Sequence, residues 1–245
     1  MRHLQKHGRY GYPHRMELGS SLVLGDWSLE LSCSILHPPP SFSRSQGMMP
    51  SLEIQPHFLF TLSMSAPPKT RIVFLDRDGV INRATERDGK PYPPRTIADF
   101  EILPGVADAC AKLKAAGFLL VVATNQPDVG RCTLDQSIVE TIHAYMIKQL
   151  PIDHVEVCYH PGHGQSNCDC RKPKPGMLLR AASEFNADLS QCWMVGDRWR
   201  DIDAGHAAGC KTIFIDYNYA EELRQQPNFR VKNLLEAADI ILRAN

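Results

Sequence analysis

The chain reads as an α/β protein with a mainly parallel central sheet, and three observations predict it. From Lys69 onward, short β-rich apolar runs alternate with amphipathic helical stretches, the signature of strands joined by crossover helices. Several runs are apolar throughout, as strands covered on both faces must be. Polar clusters then follow the strands instead of interrupting them. Right-handed crossovers gather the strand C-termini on one edge, where ligands of such sheets bind.

The first buried strand is Arg71-Ile-Val-Phe-Leu75. Pro104 suits a first helical position, so a helix runs through Cys110-Ala-Lys-Leu113 until Gly117 closes it. Phe118-Leu-Leu-Val-Val-Ala123 is the second strand. Thr133 is the expected cap of a long amphipathic helix to about Leu150, with Leu134, Ile138, Ile142 and Met146 at helical spacing. Val155-Glu-Val157 is a third strand. Met177 to Phe185 reads as a helix, Cys192-Trp-Met-Val195 as a strand, and Ile202 to Ala208 as a helix ended by Gly209. Lys211-Thr-Ile-Phe-Ile215 and a terminal helix near Leu234 to Leu242 complete the set. No internal repeat is visible.

Composition narrows the class. Lys+Arg and Asp+Glu both number 27 in 245 residues, giving a formal net charge of +0. That balance speaks against a protein whose overall field coats nucleic acid or anionic membrane. No apolar run nears the ~18 residues of a membrane helix; Phe58-Leu-Phe-Thr-Leu62 is the best. Of eight cysteines, Cys33, Cys110, Cys132, Cys192 and Cys210 are scattered, while Cys158, Cys168 and Cys170 bunch beside His160. Clustered Cys and His point to a metal, and scattered thiols to a reducing compartment. The expectation is a soluble cytoplasmic monomer with no nucleic-acid or membrane partner.

Residues 1–66 differ from the rest. They hold Pro38-Pro-Pro40, a Ser-rich stretch from Ser41 to Ser45 and five of the ten histidines, with no sustained period. Glu17, Asp26 and Glu30 interrupt every candidate signal-peptide core. The segment reads as a disordered extension ending at Ala66-Pro67-Pro68, or as sequence upstream of a start at Met64. Residues 67–245 read as one folded domain.

The strongest chemical feature is Phe74-Leu-Asp-Arg-Asp-Gly-Val-Ile-Asn82. In an extended chain Asp76 and Asp78 project to one side while Arg77 points away. Carboxylates this close repel unless a cation, a shared proton or donated hydrogen bonds offset them. A Mg²⁺ ion completed by a phosphate oxygen suits the pair. So does a division of labour, in which one carboxylate attacks phosphorus and the other protonates the leaving oxygen and later deprotonates water. A calcium loop of the EF-hand type fails, because Gly79 falls too early and Val80 replaces an oxygen ligand. No Walker A or Gly-x-Gly-x-x-Gly sequence follows the strand.

Three further clusters fall at strand ends. Thr124-Asn125-Gln126 offers a hydroxyl and two amides to phosphoryl oxygens. Arg171-Lys172-Pro173-Lys174-Pro175-Gly176 supplies cations just before a helix N-terminus. Val195-Gly196-Asp197, with Asp201 four residues on, adds a third carboxylate for a divalent cation. Separately, Cys158-x-His160 and Cys168-x-Cys170, seven residues apart, make a closed four-ligand zinc site of structural type, with His163 a possible substitute ligand.

The set Asp76-x-Asp78-Gly79, Thr124, Lys172 and Gly196-Asp197-x-x-x-Asp201 resembles the haloacid dehalogenase (HAD) phosphohydrolase superfamily, from about Arg71 to Ile215. The resemblance implies a HAD-like three-layer sandwich with a minimal cap and a zinc-binding loop. It implies Asp76 as the nucleophile that forms an aspartyl-phosphate and Asp78 as general acid and base. Thr124 and Lys172 would stabilise the phosphoryl group; Asp76, Asp78 and Asp197 would hold Mg²⁺, with Asp201 behind them. With Cys-Asp-Cys-Arg-Lys-Pro-x-Pro-Gly-Met from Cys168, the chain is similar to the heptose-bisphosphate 7-phosphatase and histidinol-phosphatase family. That similarity implies a role for Arg171 in substrate recognition, beside Asn125 and Gln126, and a substrate-facing loop at 83–95.

The expected reaction is removal of the 7-phosphate from a small phosphorylated sugar, a heptose 1,7-bisphosphate. Arg83, Arg87, Lys90, Arg95 and Arg171 are placed in sequence to meet a second phosphate, against Glu86 and Asp88. The alternatives are histidinol phosphate as substrate, or a zinc-stabilised binding module without catalysis.

Overall fold

A strand with no polar side chain must be covered on both faces, and β1 (Ile72–Leu75) is: all four residues are fully buried. The structure, a computed structural model, describes residues 69–87, 90–162 and 168–244, without the side chains of 85–91. The expected extension at 1–66 and the candidate ligand His163 lie outside the described residues. After a hairpin of β2 (Thr85–Arg87) and β3 (Lys90–Tyr92) come α1 (Val106–Ala115), β4 (Leu119–Asn125), α2 (Pro127–Gly130), α3 (Gln136–Gln149) and β5 (His154–Cys158). Then follow α4 (Gly176–Glu184), β6 (Trp193–Gly196), α5 (Trp199–Ala208), β7 (Lys211–Ile215), β8 (Phe229–Val231) and α6 (Leu234–Arg243).

Six strands pair in parallel in the order β5-β4-β1-β6-β7-β8. Alternation along them divides the core in two. Val73, Leu75, Leu120 and Val122 face one side with Leu113 of α1, Ile142 of α3 and Ile241 of α6. Ile72, Phe74, Val121 and Ala123 face the other with Met177 and Leu178 of α4 and Ala208 of α5. The result is the three-layer α/β/α sandwich expected. From β1 the chain moves outward to β4 and β5, then returns to β6 on the opposite side of β1. Strand order therefore reverses between β1 and β6, and the crevice outside their carboxyl ends is the natural ligand site. None of the described helices is long and apolar enough to cross a membrane.

Several boundaries move for local reasons. Pro104 precedes the first helix instead of opening it, because Gly105 at φ +79 takes the N-cap position. The long helix is capped by Asp135, whose carboxylate accepts the Ser137 N–H at 2.8 Å. Thr133 is already committed: its N–H and hydroxyl both bond Asp128 O, at 2.9 and 3.2 Å. Its buried stripe is Val139, Ile142, His143 and Met146. Where a loop was expected, 83–95 contains the β2–β3 hairpin, with Thr85 opposite Tyr92. Asp88-Gly89 is the hairpin signal in the sequence. This hairpin is the small insertion between β1 and the first helix, the minimal cap the resemblance implied.

Candidate active site

The polar side chains expected at the sheet edge are each carried there by a strand end. Asp76 follows β1 directly, its N–H bonded to Val195 O of β6 at 3.0 Å. Thr124 and Asn125 close β4, Asp197 follows β6, and Lys172 enters from the loop after β5. Beyond Asp76 the chain turns: the Gly79 N–H donates to Asn82 O at 2.8 Å, and the N–H groups of Ile81 and Asn82 reach back to Arg77 O. Residue 79 sits at φ +91, and a Cβ there would stand 2.6 Å from the Asp197 carboxyl carbon. Only glycine allows both the turn and that close approach.

Lys172 is the cation at the centre, and it is 2% exposed. Its ammonium lies 2.9 Å from Asp76 Oδ1 and 2.6 Å from Asp201 Oδ1, and it donates to Ala123 O at 2.6 Å. Burial is the largest influence on it and disfavours the charge, yet Asp201 and Asp76 together hold it above its ordinary value. Asp76, Asp197 and Asp201 bring oxygens within 4.8 Å of one another. One ammonium cannot offset three carboxylates. Burial, then the neighbouring charges, pushes Asp76 up to about 6 despite Lys172, and pushes Asp197 well above the usual carboxylate range. Asp197 Oδ1 is buried with no hydrogen-bond partner. A deficit of positive charge beside an orphaned hard oxygen is what a Mg²⁺ ion satisfies. Asp201 is spent differently: Oδ1 meets Lys172, and Oδ2 accepts the Arg198 N–H at 3.0 Å, capping α5.

Asp78 is held from three directions. Because the chain turns after Asp76, strand alternation does not carry Arg77 away; its fork closes on Asp78. Nη2 lies 3.0 Å from both carboxylate oxygens, and Nε lies 3.2 Å from Oδ1. Asn82 Nδ2 donates to Oδ1 at 3.0 Å and Gln126 Nε2 to Oδ2 at 2.9 Å. Gln126 also donates to Thr124 Oγ1 at 2.9 Å, so the amide expected to face a phosphoryl oxygen is instead buried between two site residues. Asn125 accepts the Lys172 N–H and donates to Lys172 O, both at 3.1 Å. That double clasp ties β4 to the Lys172 loop. Sequence reasoning missed Arg77, and with it His143, whose Nε2 lies 2.9 Å from Arg77 Nη1. The available signal was helical: His143 falls on the same buried stripe as Val139, Ile142 and Met146.

The sulfur cluster forms as expected around the end of β5. Cys170 Sγ lies 3.2 Å from both Cys158 Sγ and His160 Nδ1; Cys158 Sγ lies 3.5 Å from that nitrogen and 4.0 Å from Cys168 Sγ. Ligands about 2.3 Å from a tetrahedral centre stand roughly 3.7 Å apart, so the four donors fit zinc. The hydrogen bond between Cys158 and Cys170 pushes the first thiol up and draws the second down to about 5.

Arg171 sits between this cluster and Lys172, half-buried, and donates to His160 O at 3.4 Å. Among the described residues it meets no carboxylate. Burial lowers its guanidinium most; Arg200 and Arg131 lower it further. These two arginines were not expected. Of the anticipated cations, Arg83 is paired with Glu101 at 2.9 Å and Arg95 donates to Thr133 O at 2.9 Å. The Arg87 and Lys90 side chains lie outside the described residues.

Comparison with known proteins agrees with this geometry. Residues 169–237 match the family described as HAD-hydrolase-like. The D-glycero-beta-D-manno-heptose-1,7-bisphosphate 7-phosphatase of Pseudomonas aeruginosa is 36% identical over 147 residues, covering 59% of this chain and 80% of its own. The corresponding alpha-anomer phosphatase of Campylobacter jejuni is 37% identical over 171 residues, covering 69% of this chain and 94% of its own. The crystal structure of D,D-heptose 1,7-bisphosphate phosphatase from B. bronchiseptica, complexed with magnesium and phosphate, aligns with a TM-score of 0.62 at 27% identity. That alignment covers 72% of this chain and 100% of the other. Such identity along nearly the whole of a relative, on one shared fold, assigns the chain to the HAD phosphatase family that includes the heptose-1,7-bisphosphate 7-phosphatases, and makes it a phosphomonoesterase.

Proposed function

We propose that this chain is a Mg²⁺-dependent enzyme that removes the 7-phosphate of D-glycero-D-manno-heptose 1,7-bisphosphate through an aspartyl-phosphate on Asp76. The observation that carries the reading is the meeting of Asp76, Lys172, Asp197 and Asp201 outside the carboxyl ends of β1 and β6, with Asp78 two residues beyond Asp76. Asp76 accepts from the Arg77 N–H at 2.8 Å and from Lys172 at 2.9 Å, both on Oδ1, which leaves Oδ2 for phosphorus. As the Asp76–phosphorus bond forms, the bond from phosphorus to the C7 oxygen breaks, and Asp78 gives that oxygen its proton. Water then attacks phosphorus and Asp78 takes the water's proton. The Asp76–phosphorus bond breaks, inorganic phosphate leaves and the carboxylate is restored. Lys172 stabilises the charge on the transferring group, and Thr124 adds a hydroxyl. Asp76 and Asp197 would hold Mg²⁺, whose contribution is to neutralise phosphoryl charge; the Asp78 side-chain oxygens, expected from the sequence as a third ligand, are taken by Arg77, Asn82 and Gln126.

Cys158, His160, Cys168 and Cys170 would hold zinc with no position open for water, so that this metal shapes the loop and does no chemistry. Thiols kept for a metal suit a cytoplasmic enzyme, and the reading is of a monomer.

Histidinol phosphate is the competing substrate. Arg171, without a carboxylate partner among the described residues and with Arg131 and Arg200 adding to the positive potential around it, favours a second phosphate over an ammonium group. A side-by-side phosphate-release assay with Mg²⁺ tests this. Heptose 1,7-bisphosphate should be the better substrate by kcat/KM; a preference for histidinol phosphate overturns the assignment. Asp76→Asn should abolish release from either while zinc stays bound. Turnover by that variant would refute the mechanism, and no release by the wild type from any candidate would leave a binding module.

A further inference from the structure

Arg77 is one of the largest fully buried side chains, and its charge has one carboxylate to meet. Three of its contacts go to Asp78 and the fourth, from Nη1, goes to His143 Nε2 at 2.9 Å. A guanidinium has only donors. His143 Nε2 is therefore the acceptor, and the imidazole carries its one proton on Nδ1. That nitrogen is buried with no hydrogen-bond partner, and the residue is 2% exposed. Nothing in the surroundings of Nδ1 rewards a polar ring; the Arg77 contact is the one polar use His143 has among the described residues.

We propose that His143 is a positioning residue for the acid–base carboxylate: as a permanent neutral acceptor on α3, it sets the Arg77 fork square on Asp78. A fork offers five donors in one plane, and two edges of it are used here. The edge bearing Nε and Nη2 closes on Asp78; the Nη1 end is fixed by His143. Without an acceptor at His143, Arg77 retains its attraction to Asp78 but loses the anchor that fixes its rotation. Asp78 then keeps Asn82 and Gln126 but loses a defined direction for its proton.

This rests on Asp78 acting as the acid of the proposed mechanism, and the experiment separates the two. Release of the alcohol is followed in a single turnover, so the later water step does not enter. Two substrates are compared: heptose 1,7-bisphosphate, whose alkoxide must be protonated as it leaves, and 4-nitrophenyl phosphate, whose phenolate leaves without help. His143→Leu should slow release from the sugar phosphate by about tenfold or more, with KM unchanged, and slow nitrophenol release by less than about twofold. His143→Gln places an amide oxygen near the Nε2 position and should restore most of the loss. Arg77→Lys keeps the charge without the fork and should show the same split should His143→Leu fail to fold. Equal losses on both substrates, or no loss, overturn the proposal. If Asp78→Asn shows the split and the His143 and Arg77 variants do not, the mechanism stands and the positioning role falls. If Asp78→Asn shows no split, the acid assignment itself falls.

Discussion

Gly79→Ala places one methyl group where the turn after β1 meets Asp197. Two costs follow from the geometry. An L-residue at φ +91 is strained by roughly 1–2 kcal/mol. The new carbon would also stand 2.6 Å from the Asp197 carboxyl carbon, where ordinary contact needs about 3.5 Å. Turn and carboxylate must therefore part by roughly 1 Å, and Asp197 is buried. A displacement of that size at a reacting constellation costs on the order of a hundredfold. The expectation is a fall in kcat of about that factor, with half-saturation by Mg²⁺ moved to higher concentration. The melting temperature should drop by only about 4–8 °C, the equivalent of ~2 kcal/mol in a domain of this size. Phosphate release measured across a Mg²⁺ titration, beside a thermal melt, reads both quantities. A variant whose kcat and Mg²⁺ dependence stay within about threefold of wild type would refute the placement of Asp197 as a metal ligand behind this turn.

Other perturbations test different parts of the site. Arg171→Ala removes a guanidinium that meets no carboxylate among the described residues, and should raise KM for heptose 1,7-bisphosphate by about tenfold or more with little change in kcat; an unchanged KM removes it from recognition. Lys172→Met leaves Asp76, Asp197 and Asp201 with no ammonium among them, and without Mg²⁺ should cost about 3–5 kcal/mol in urea unfolding. The loss should be smaller with Mg²⁺ present, and an equal loss in both conditions would count against metal binding at these carboxylates. His143 gives the pH dependence. Burial, then Arg77, holds its imidazole well below its ordinary value, so the unfolded chain takes up a proton below about pH 6.5 that the folded one refuses. Its stabilising contribution is whole above that pH and is lost by about 1.4 kcal/mol per unit as pH falls. Urea midpoints of His143→Gln should be flatter with pH than those of wild type between pH 6.5 and 5; parallel curves would show a histidine that titrates normally.

What was legible in the sequence depended on whether a residue's partner lay nearby in the chain. The first strand, the Asp76-x-Asp78 pair and Asp197 could be read because strand ends converge by topology alone. The cluster of Cys158, His160, Cys168 and Cys170 could be read because its spacing closes on itself. Arg77 was misjudged by a local rule: alternation holds within a strand, and the strand stops at Leu75, two residues earlier. Asn125 and Gln126 have the amides a phosphate would want, yet those amides hold Lys172 and Asp78. Their partners lie 47 and 48 residues away, a distance no residue type encodes. The arginines around Arg171 escaped for the same reason: Arg131 and Arg200 come from α2's end and α5.

The two proposed metal sites are linked by a short piece of backbone, and that has a consequence for zinc removal. Cys170 stands two residues before Lys172, whose ammonium must stay about 2.9 Å from Asp76. On the other side Asn125, which clasps Lys172 by both backbone groups, pairs in register with Cys158. The loop carrying Lys172 is thus fixed at one end by a sulfur and at the other by the strand neighbour of a sulfur. Asp76 and Asp197 are carried instead on the ends of β1 and β6, and Asp76 meets the loop through the Lys172 ammonium. Chelation of zinc should therefore lower kcat by about tenfold or more while half-saturation by Mg²⁺ changes little, and readdition of zinc should restore the rate. Zinc retention should weaken as pH falls, because thiolates and a neutral imidazole are the ligands. Zinc-free enzyme with full kcat would show that Asn125 alone holds the lysine. A parallel loss of Mg²⁺ affinity would show instead that the cluster supports the whole sheet edge, and the division of labour between the two metals would have to be given up.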